Sequence, residues 1–163
     1  MAAAPMPVLG RCYTSAAMTA PAVIVDALCS LLEAEQSSLF RSVADGSPYL
    51  GRASVDVRKA VAYVAAADDR RSGELWRMIE SLGGQPRPRA VRPADQMLAY
   101  LSVKFILPKL VEAKELLAQR YRNALAAVAD ADGPAVELLR RHLGEHAGEA
   151  VVLQQAAEAV AAS

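Results

Sequence analysis

The chain has 163 residues, of which 18 are Lys or Arg and 18 are Asp or Glu, so its formal net charge at pH 7 is zero. This length predicts one domain, and 53% apolar residues are enough to build a sizeable core. The charge balance argues against bulk electrostatic attraction to nucleic acid or to an anionic membrane. Two cysteines, Cys12 and Cys29, are too few for a disulfide scaffold or a zinc cage.

Residues 1–18 are rich in small residues and proline, and they lack the basic start and sustained apolar run of a secretory signal. We expect them to form a disordered tail. The most apolar stretch, 97–111, is interrupted by Lys104 and Pro108, which leaves it short of the ~18 uninterrupted apolar residues that a membrane span needs. The sequence therefore predicts a cytoplasmic protein with one folded domain over residues 19–163.

Two helices are predicted in the first half of the chain. The first begins near Pro21, where proline suits a first helical turn, and ends at about Ala44 before a turn rich in Asp, Gly and Pro. The second begins after Ser54, a good N-cap, and ends at Gly83 and Gly84, which form a typical C-terminal signal.

A long crossover, residues 84–107, is predicted to connect the second and third helices. Its prolines favour an extended segment that could cross the length of a bundle, followed by a short apolar helix over residues 95–105. Pro108 is placed in the first turn of the third long helix, which runs to about Ala129. The fourth helix begins at Pro134 and continues nearly to the C-terminus. No segment alternates like a strand, so the predicted fold class is an all-α four-helix bundle with one long crossover.

Each predicted helix has an apolar stripe that an ionisable residue interrupts near its middle. Any one of these residues alone also fits a bundle rim, where long side chains reach water. Because isolated buried charges are too costly, the four interruptions together indicate that these groups meet in the interior. The third stripe also contains a tyrosine, whose hydroxyl would need an acidic partner. The predicted interior polar cluster consists of Glu35, Asp68, Arg71, Lys114, Tyr121 and His146.

This cluster resembles a di-iron carboxylate site only in part. Such a site takes one Glu from each of two helices and a Glu-x-x-His motif from each of the other two. The second helix has Arg71 where an imidazole is needed, and a guanidinium has no lone pair for a metal. The third helix has Lys114 on the stripe, with Glu112 and Glu115 displaced to either side. The fourth helix reverses the motif to His-x-x-Glu in two registers, formed by His142, Glu145, His146 and Glu149.

Two segments resemble helices that carry metal ligands in a known family. Residues 31–35, Leu-Leu-Glu-Ala-Glu, are similar to a first-helix segment with a metal-binding Glu, which would be Glu35 here. Residues 68–84 are similar to a second-helix motif and the helix end after it, with Asp68 at the Glu position and Arg71 at the His position. The family is the ferritin-like superfamily, which includes bacterioferritin- and rubrerythrin-like bundles.

The second half of the chain extends this resemblance. Residues 114–121 are similar to the third-helix segment of the family, with Lys114 or Glu115 at the Glu position. Residues 136–146 are similar to the fourth, although the Glu-x-x-His motif is not reproduced. The resemblance covers roughly residues 22–160 and implies a four-helix bundle of a kind that often handles iron or oxygen.

The departures from the family pattern lead to two alternative functions. The first is a ferritin-like bundle that has lost the di-iron site, binds no cofactor, and acts as a non-catalytic structural or interaction module in which Arg71 and Lys114 neutralise the interior acids. Because ferritin-like bundles commonly pair along their sides, a homodimer is expected, without nucleic acid or membrane partners. The second is an iron- or manganese-binding oxidoreductase or iron-handling protein. Its metal ligands would come from Glu35, Asp68, Glu115, His142, His146 and Glu149.

Overall fold

The computed structural model describes residues 20–47, 49–87, 101–129, 131 and 133–162. The described residues form four long α-helices and two short elements between the first two of them. The elements are α1 (Ala20–Gln36), α2 (Leu39–Gly46), a 3-10 turn (Leu50–Arg52), α3 (Val55–Ser81), α4 (Val103–Ala127) and α5 (Pro134–Ala161). Because no strand occurs among the described residues, the all-α prediction is confirmed. The predicted tail and most of the predicted crossover lie outside the described ranges.

Helix α3 begins and ends at local signals that the sequence carries. The Ser54 hydroxyl accepts a hydrogen bond from the backbone N–H of Val57, as an N-cap should. At the other end Gly83 has φ +75°, and its N–H donates to the carbonyl of Glu80. The Gly84 N–H donates to the carbonyl of Ile79, which completes a Schellman motif and satisfies the last carbonyls of the helix.

The single first helix predicted to run to about Ala44 is wrong, because the chain breaks at Ser38. Ser38 has extended backbone, and its hydroxyl accepts from the N–H of Phe40 at 3.3 Å, which starts α2. The same hydroxyl donates to Asp68 Oδ2 at 2.7 Å. Serine side chains favour caps over helix interiors because they hydrogen-bond nearby backbone groups. Here a long-range hydrogen bond to α3 adds to that local preference.

The predicted position of Pro108 is also wrong. Helix α4 begins at Val103, so Pro108 lies inside the helix rather than in its first turn. The carbonyl of Ser102 accepts from the N–H groups of Phe105 and Ile106 and thereby starts the helix early. Proline lacks the N–H that would donate to the carbonyl of Lys104. The described part of the predicted short helix over residues 95–105 is not a separate element, since its last residues are the first turn of α4.

Helix directions follow from contacts at two levels of the bundle. Helix α1 is antiparallel to α3, because Val25 lies against Gly84 and Glu35 lies against Arg71. Helix α5 is antiparallel to both α3 and α4. Residues near the start of α5 contact residues late in those two helices, and residues further along α5 contact earlier ones. The pairs are His142 with Glu74 and Tyr121, and Glu149 with Arg71 and Lys114. Helices α3 and α4 therefore run in the same direction.

Two apolar clusters fill the two ends of this bundle. The first cluster contains Leu28, Leu32, Leu75, Ile79, Leu117, Val136 and Leu139, among others. The second cluster contains Phe40, Val43, Val57, Val61, Val64, Leu107, Leu110 and Leu153, among others. Burial of an aliphatic side chain of this size contributes roughly 1.5–3 kcal/mol each, so these clusters are the main source of stability. Within the described ranges, none of the helices combines the length and apolar content required to cross a bilayer.

Candidate functional site

A layer of buried ionisable side chains separates the two apolar clusters. It brings together all six residues of the predicted interior cluster and adds two from α5. We call it the polar layer, and its members are Glu35, Asp68, Arg71, Lys114, Tyr121, His142, His146 and Glu149. Each of these residues is at most 4% exposed to solvent. Because charged groups are almost never buried to this extent without partners, their pairing determines what the site can do.

Arg71 lies at the centre of the layer and contacts acids from three helices. Its Nη1 and Nη2 donate to the two oxygens of Glu149 at 2.6 and 2.8 Å, which is a bidentate pair. Its Nε donates to Glu35 Oε1 at 3.2 Å, and Nη2 also donates to Asp68 Oδ1. Burial lowers the pKa of Arg71, but the Glu149 hydrogen bonds and the charges of Glu35 and Asp68 outweigh it and hold that pKa above its ordinary value. The guanidinium is therefore a permanent interior cation.

Lys114 supplies the second interior cation. Its Nζ contacts Asp68 Oδ1 and lies 2.9 Å from Glu149 Oε2. It also lies 3.4 Å from His146 Nδ1 and 4.8 Å from the centre of the Phe40 ring, a cation–π contact. Because an ammonium only donates, His146 must accept through Nδ1 and carry its ring proton on Nε2.

Glu35 has one crowded oxygen and one that lacks a partner. With Glu35 ionised, its Oε1 accepts from Arg71 Nε, from the Tyr121 hydroxyl at 2.9 Å and from His146 Nε2 at 2.9 Å. Its Oε2 is buried without a hydrogen-bond partner among the described residues. Burial and the nearby charge of Asp68 raise the pKa of Glu35 to about 7. Glu35 is thus the interior acid that can hold a proton near neutral pH.

The two histidines of the chain both lie in the layer as neutral rings. Burial and the cations Arg71 and Lys114 lower the pKa of His146 to about 3. Burial also lowers the pKa of His142. The His142 Nδ1 lies 3.2 Å from the Tyr121 hydroxyl, and its Nε2 lies 2.7 Å from Glu74 Oε2.

Glu74 connects the layer to the surface between α3 and α5. Its side chain is 19% exposed and pairs with Arg70 at 3.1 Å and with Arg141 at 2.8 Å. Although burial raises the pKa of Glu74, the hydrogen bonds of His142 and Arg70 and the charge of Arg141 outweigh it and hold that pKa below its ordinary value. Glu74 is therefore ionised at neutral pH.

Sequence reasoning misplaced one candidate ligand and missed several partners. Glu115 is exposed on the outer face of α4, because it follows Lys114 by one residue and so points about 100° away from it. The sequence does not predict the partners Ser38, Glu74 and Glu145, which hydrogen-bond to the layer. The sequence indicates Glu149 only as a candidate metal ligand, but in the structure it pairs with both interior cations. Its position one helical turn after His146 was the signal that could have identified this role.

Three residues of the polar layer are of types that can bind a metal ion. Glu35, Asp68 and His146 each offer one ligand atom, and these atoms lie within 4.8 Å of one another. All three are already engaged, since Glu35 Oε1 has three donors, Asp68 Oδ1 contacts both cations, and the His146 Nδ1 lone pair faces Lys114. A divalent ion about 5 Å from either cation would meet roughly 7 kcal/mol of repulsion at an effective dielectric constant of 20. The residues therefore do not fit a dinuclear metal centre.

Comparison with known proteins adds no relative. No protein-family model, curated protein or solved structure matches the chain. The ferritin-like resemblance therefore stays a prediction.

Proposed function

We propose that the chain is a metal-independent helical bundle of ferritin-like descent, which acts as a structural or interaction module rather than as an oxidoreductase. In this proposal Arg71 and Lys114 take the place of the metal ions. The observation that carries it is that both cations are fully buried and contact acids from neighbouring helices.

The contacts of the two cations support a cross-linking role. Arg71 on α3 binds Glu35 of α1 and Glu149 of α5, while Lys114 on α4 binds Asp68 of α3 and also Glu149. Two side chains thus connect all four long helices through carboxylates, as a bridging metal pair would. Neither a guanidinium nor an ammonium can change oxidation state or bind oxygen, so this arrangement favours architecture over redox chemistry.

Helix direction supports the ferritin-like part of the proposal. Because α3 and α4 run in the same direction, the chain leaves α3 at one end of the bundle and enters α4 at the other. A four-helix bundle with one long crossover has this arrangement, whereas a simple up-and-down bundle does not. The predicted homodimer is retained as part of the proposed interaction role.

The alternative is an iron- or manganese-binding protein with an unusual ligand set. It is favoured by the close approach of ligand atoms from Glu35, Asp68 and His146. It would require Arg71 and Lys114 to leave the space that they occupy. Both side chains are fully buried among acids, so that movement would expose uncompensated carboxylates in the interior.

The deciding experiment is a metal analysis of the full chain, purified after growth with added iron and manganese. We expect far less than one ion per chain by inductively coupled plasma mass spectrometry. Near-stoichiometric, tightly held iron or manganese would overturn the proposal in favour of the alternative.

A variant with family-like ligands provides the positive arm of this experiment. The double substitution Arg71→His and Lys114→Glu removes both cations and supplies an imidazole and a carboxylate at those positions. We expect this variant to retain metal through purification and the parent chain to retain none. The matched control, Arg58→His with Lys109→Glu, alters exposed residues on the same two helices and should remain free of metal.

A further inference from the structure

A chain of hydrogen-bonding contacts leads from the buried Glu35 to the surface. Glu35 Oε1 lies 2.9 Å from the Tyr121 hydroxyl, which lies 3.2 Å from His142 Nδ1. His142 Nε2 lies 2.7 Å from Glu74 Oε2, on a side chain that is 19% exposed. The first three residues come from three different helices and are fully buried or nearly so.

The path from Glu35 to Glu74 needs one more proton than a neutral His142 and the Tyr121 hydroxyl supply. Three contacts need three protons, one between each pair of atoms. Ionised Glu74 only accepts, so His142 donates to it from Nε2. A neutral His142 and the Tyr121 hydroxyl supply two protons. The third must come from a protonated Glu35 or from a second N–H on His142, because otherwise one buried acceptor would face another.

The charges of the polar layer also indicate that it binds one additional proton. Its carboxyl groups are Glu35, Asp68 and Glu149, and its fixed cations are Arg71 and Lys114. With both histidines neutral, the layer carries one net negative charge, which a single proton removes. A buried net charge is strongly disfavoured. Glu35 is where that proton belongs, because Asp68 and Glu149 each pair with both cations, whereas Glu35 accepts a hydrogen bond from one of them, Arg71.

The groups around Glu35 leave one direction in which this proton can move. Helix α3 presents Asp68 and Arg71, and helix α4 presents Lys114 and Tyr121. Helix α5 presents His142, His146 and Glu149, with Glu145 at the rim against Arg71. His146 cannot take the proton, because its Nδ1 faces the ammonium of Lys114. The Arg71 guanidinium and the Lys114 ammonium have no lone pair that could accept a proton, so only the path through Tyr121 to His142 remains.

We propose that the polar layer binds one mobile proton, which Glu35 and His142 share through the Tyr121 hydroxyl. While Glu35 is protonated, its Oε1–H donates to the Tyr121 oxygen and the Tyr121 hydroxyl donates to His142 Nδ1. In the transfer this Oε1–H bond breaks as a new O–H bond forms on the Tyr121 oxygen. The original Tyr121 proton passes to His142 Nδ1 at the same time, so Tyr121 stays neutral. Glu35 becomes a carboxylate and His142 an imidazolium that faces ionised Glu74. His142 can then release its Nε2 proton to Glu74 and so to solvent.

This relay would give a sealed interior acid a route for proton exchange that does not require the helices to separate. The inference rests on the proposed metal-free core, because a metal ion on Glu35 would displace the proton. Metal content is therefore measured on the same sample used for the test below. A failure of the relay in metal-free protein then leaves the proposed function intact.

Carboxyl carbon NMR of the full chain, labelled at the side-chain carboxyl carbon of glutamate, tests the relay. We expect one Glu35 resonance that moves with pH through the neutral range, which indicates fast proton exchange. In Tyr121→Phe and in His142→Gln we expect two separate Glu35 resonances at the midpoint, because the route is broken. Tyr63→Phe, which removes the hydroxyl of an exposed tyrosine on α3, should match the parent chain. A single moving resonance in both relay variants, or no Glu35 titration at all, would overturn the proposal.

A second measurement on the parent chain remains decisive if the variants fold poorly. The chain has only two histidines, so ring nitrogen NMR resolves both. Below the Glu35 midpoint we expect a neutral His142 with its proton on Nε2 and an accepting Nδ1. A ring protonated on Nδ1 with a bare Nε2 would contradict the relay, because the contact with Glu74 would then lack its proton.

Discussion

Arg71 is the residue on which the interior charge balance depends. It is the largest fully buried side chain of the described residues, and its planar guanidinium reaches acids in three directions at once. A lysine could supply the charge but not this fork geometry. Lys114 fits its own position for the opposite reason, since a compact ammonium can contact Asp68, Glu149 and an aromatic face together.

Removing the guanidinium should therefore be among the most damaging single changes in the chain. Arg71→Met keeps an unbranched stem but leaves Glu35, Asp68 and Glu149 with only one interior cation. Breaking a buried pair in this way costs about 3–5 kcal/mol, which urea unfolding followed by circular dichroism will measure. Arg70→Met, on the partly exposed neighbour, should cost less than about 1 kcal/mol. Equal losses in the two variants would show that the polar layer does not hold the bundle together.

Glu35 should make stability depend on pH in the neutral range. Its pKa is raised from 4.5 to about 7 in the folded chain, so the folded state keeps a proton that the unfolded state has released. The corresponding stability is present at low pH and is lost as pH rises through about 7.

The histidines set the window for this measurement. Because burial lowers the pKa of both His142 and His146, they favour unfolding only when the pH falls below their ordinary value of 6.5. Above pH 6.5 the change of unfolding free energy with pH therefore comes from Glu35. We expect the free energy of unfolding of the parent chain to decrease between about pH 6.5 and pH 8. Glu35→Gln should remove this decrease, and an unchanged slope in that variant would assign it to another group.

At the scale of elements, local signals set some helix ends and tertiary contacts set others. The α3 ends could be predicted because Ser54 and Gly83 act through their own backbone neighbourhood. The break after α1 could not, because Ser38 is held there partly by Asp68, thirty residues away in sequence. A local rule places Pro108 at the start of a helix, but the structure has it inside α4. The buried neighbours Ile106 and Leu107 pack in the second apolar cluster and hold the helix together around it.

The end of α3 against α1 leads to a prediction about glycine. A Cβ on Gly84 would lie 2.6 Å from Val25 Cγ1 and 2.8 Å from Ile79 Cγ2, and both of those branched side chains are stiff. Gly84→Ala should therefore destabilise the chain by about 1–3 kcal/mol through overpacking.

Gly144 provides the matched control for this substitution. It lies in α5 with open space around the position of a Cβ, so Gly144→Ala should stabilise the chain by roughly 0.5–1 kcal/mol. Thermal unfolding of the two variants should thus shift in opposite directions. Equal shifts would mean that Gly84 does not set the contact between α1 and the end of α3.

At the scale of the whole molecule, residue type and stripe position predict most of the side chains that meet in the polar layer, but not how they pair. Apolar stripes predict the buried face of each helix, and four ionisable residues on those stripes are buried as expected: Glu35, Asp68, Arg71 and Lys114. The pairing depends on helix rotation and axial offset, which one-dimensional spacing leaves open. Glu149 illustrates the difficulty, since the apolar stripe of α5 passes equally well through the neighbouring alanine.

The two apolar clusters enclose the polar layer from both ends, and this should insulate its ion pairs from salt. The Debye length falls from about 10 Å at 0.1 M to about 3 Å at 1 M salt, but screening acts mainly on exposed charges. The loss of unfolding free energy in Arg71→Met should therefore be the same at low and high sodium chloride. The smaller loss in Arg70→Met should approach zero at high salt, because Arg70 pairs with Glu74 and Glu145 at the solvent boundary. If high salt abolished the Arg71→Met loss, water and ions would have to reach the layer, and the closed, metal-free core proposed for this bundle would be wrong.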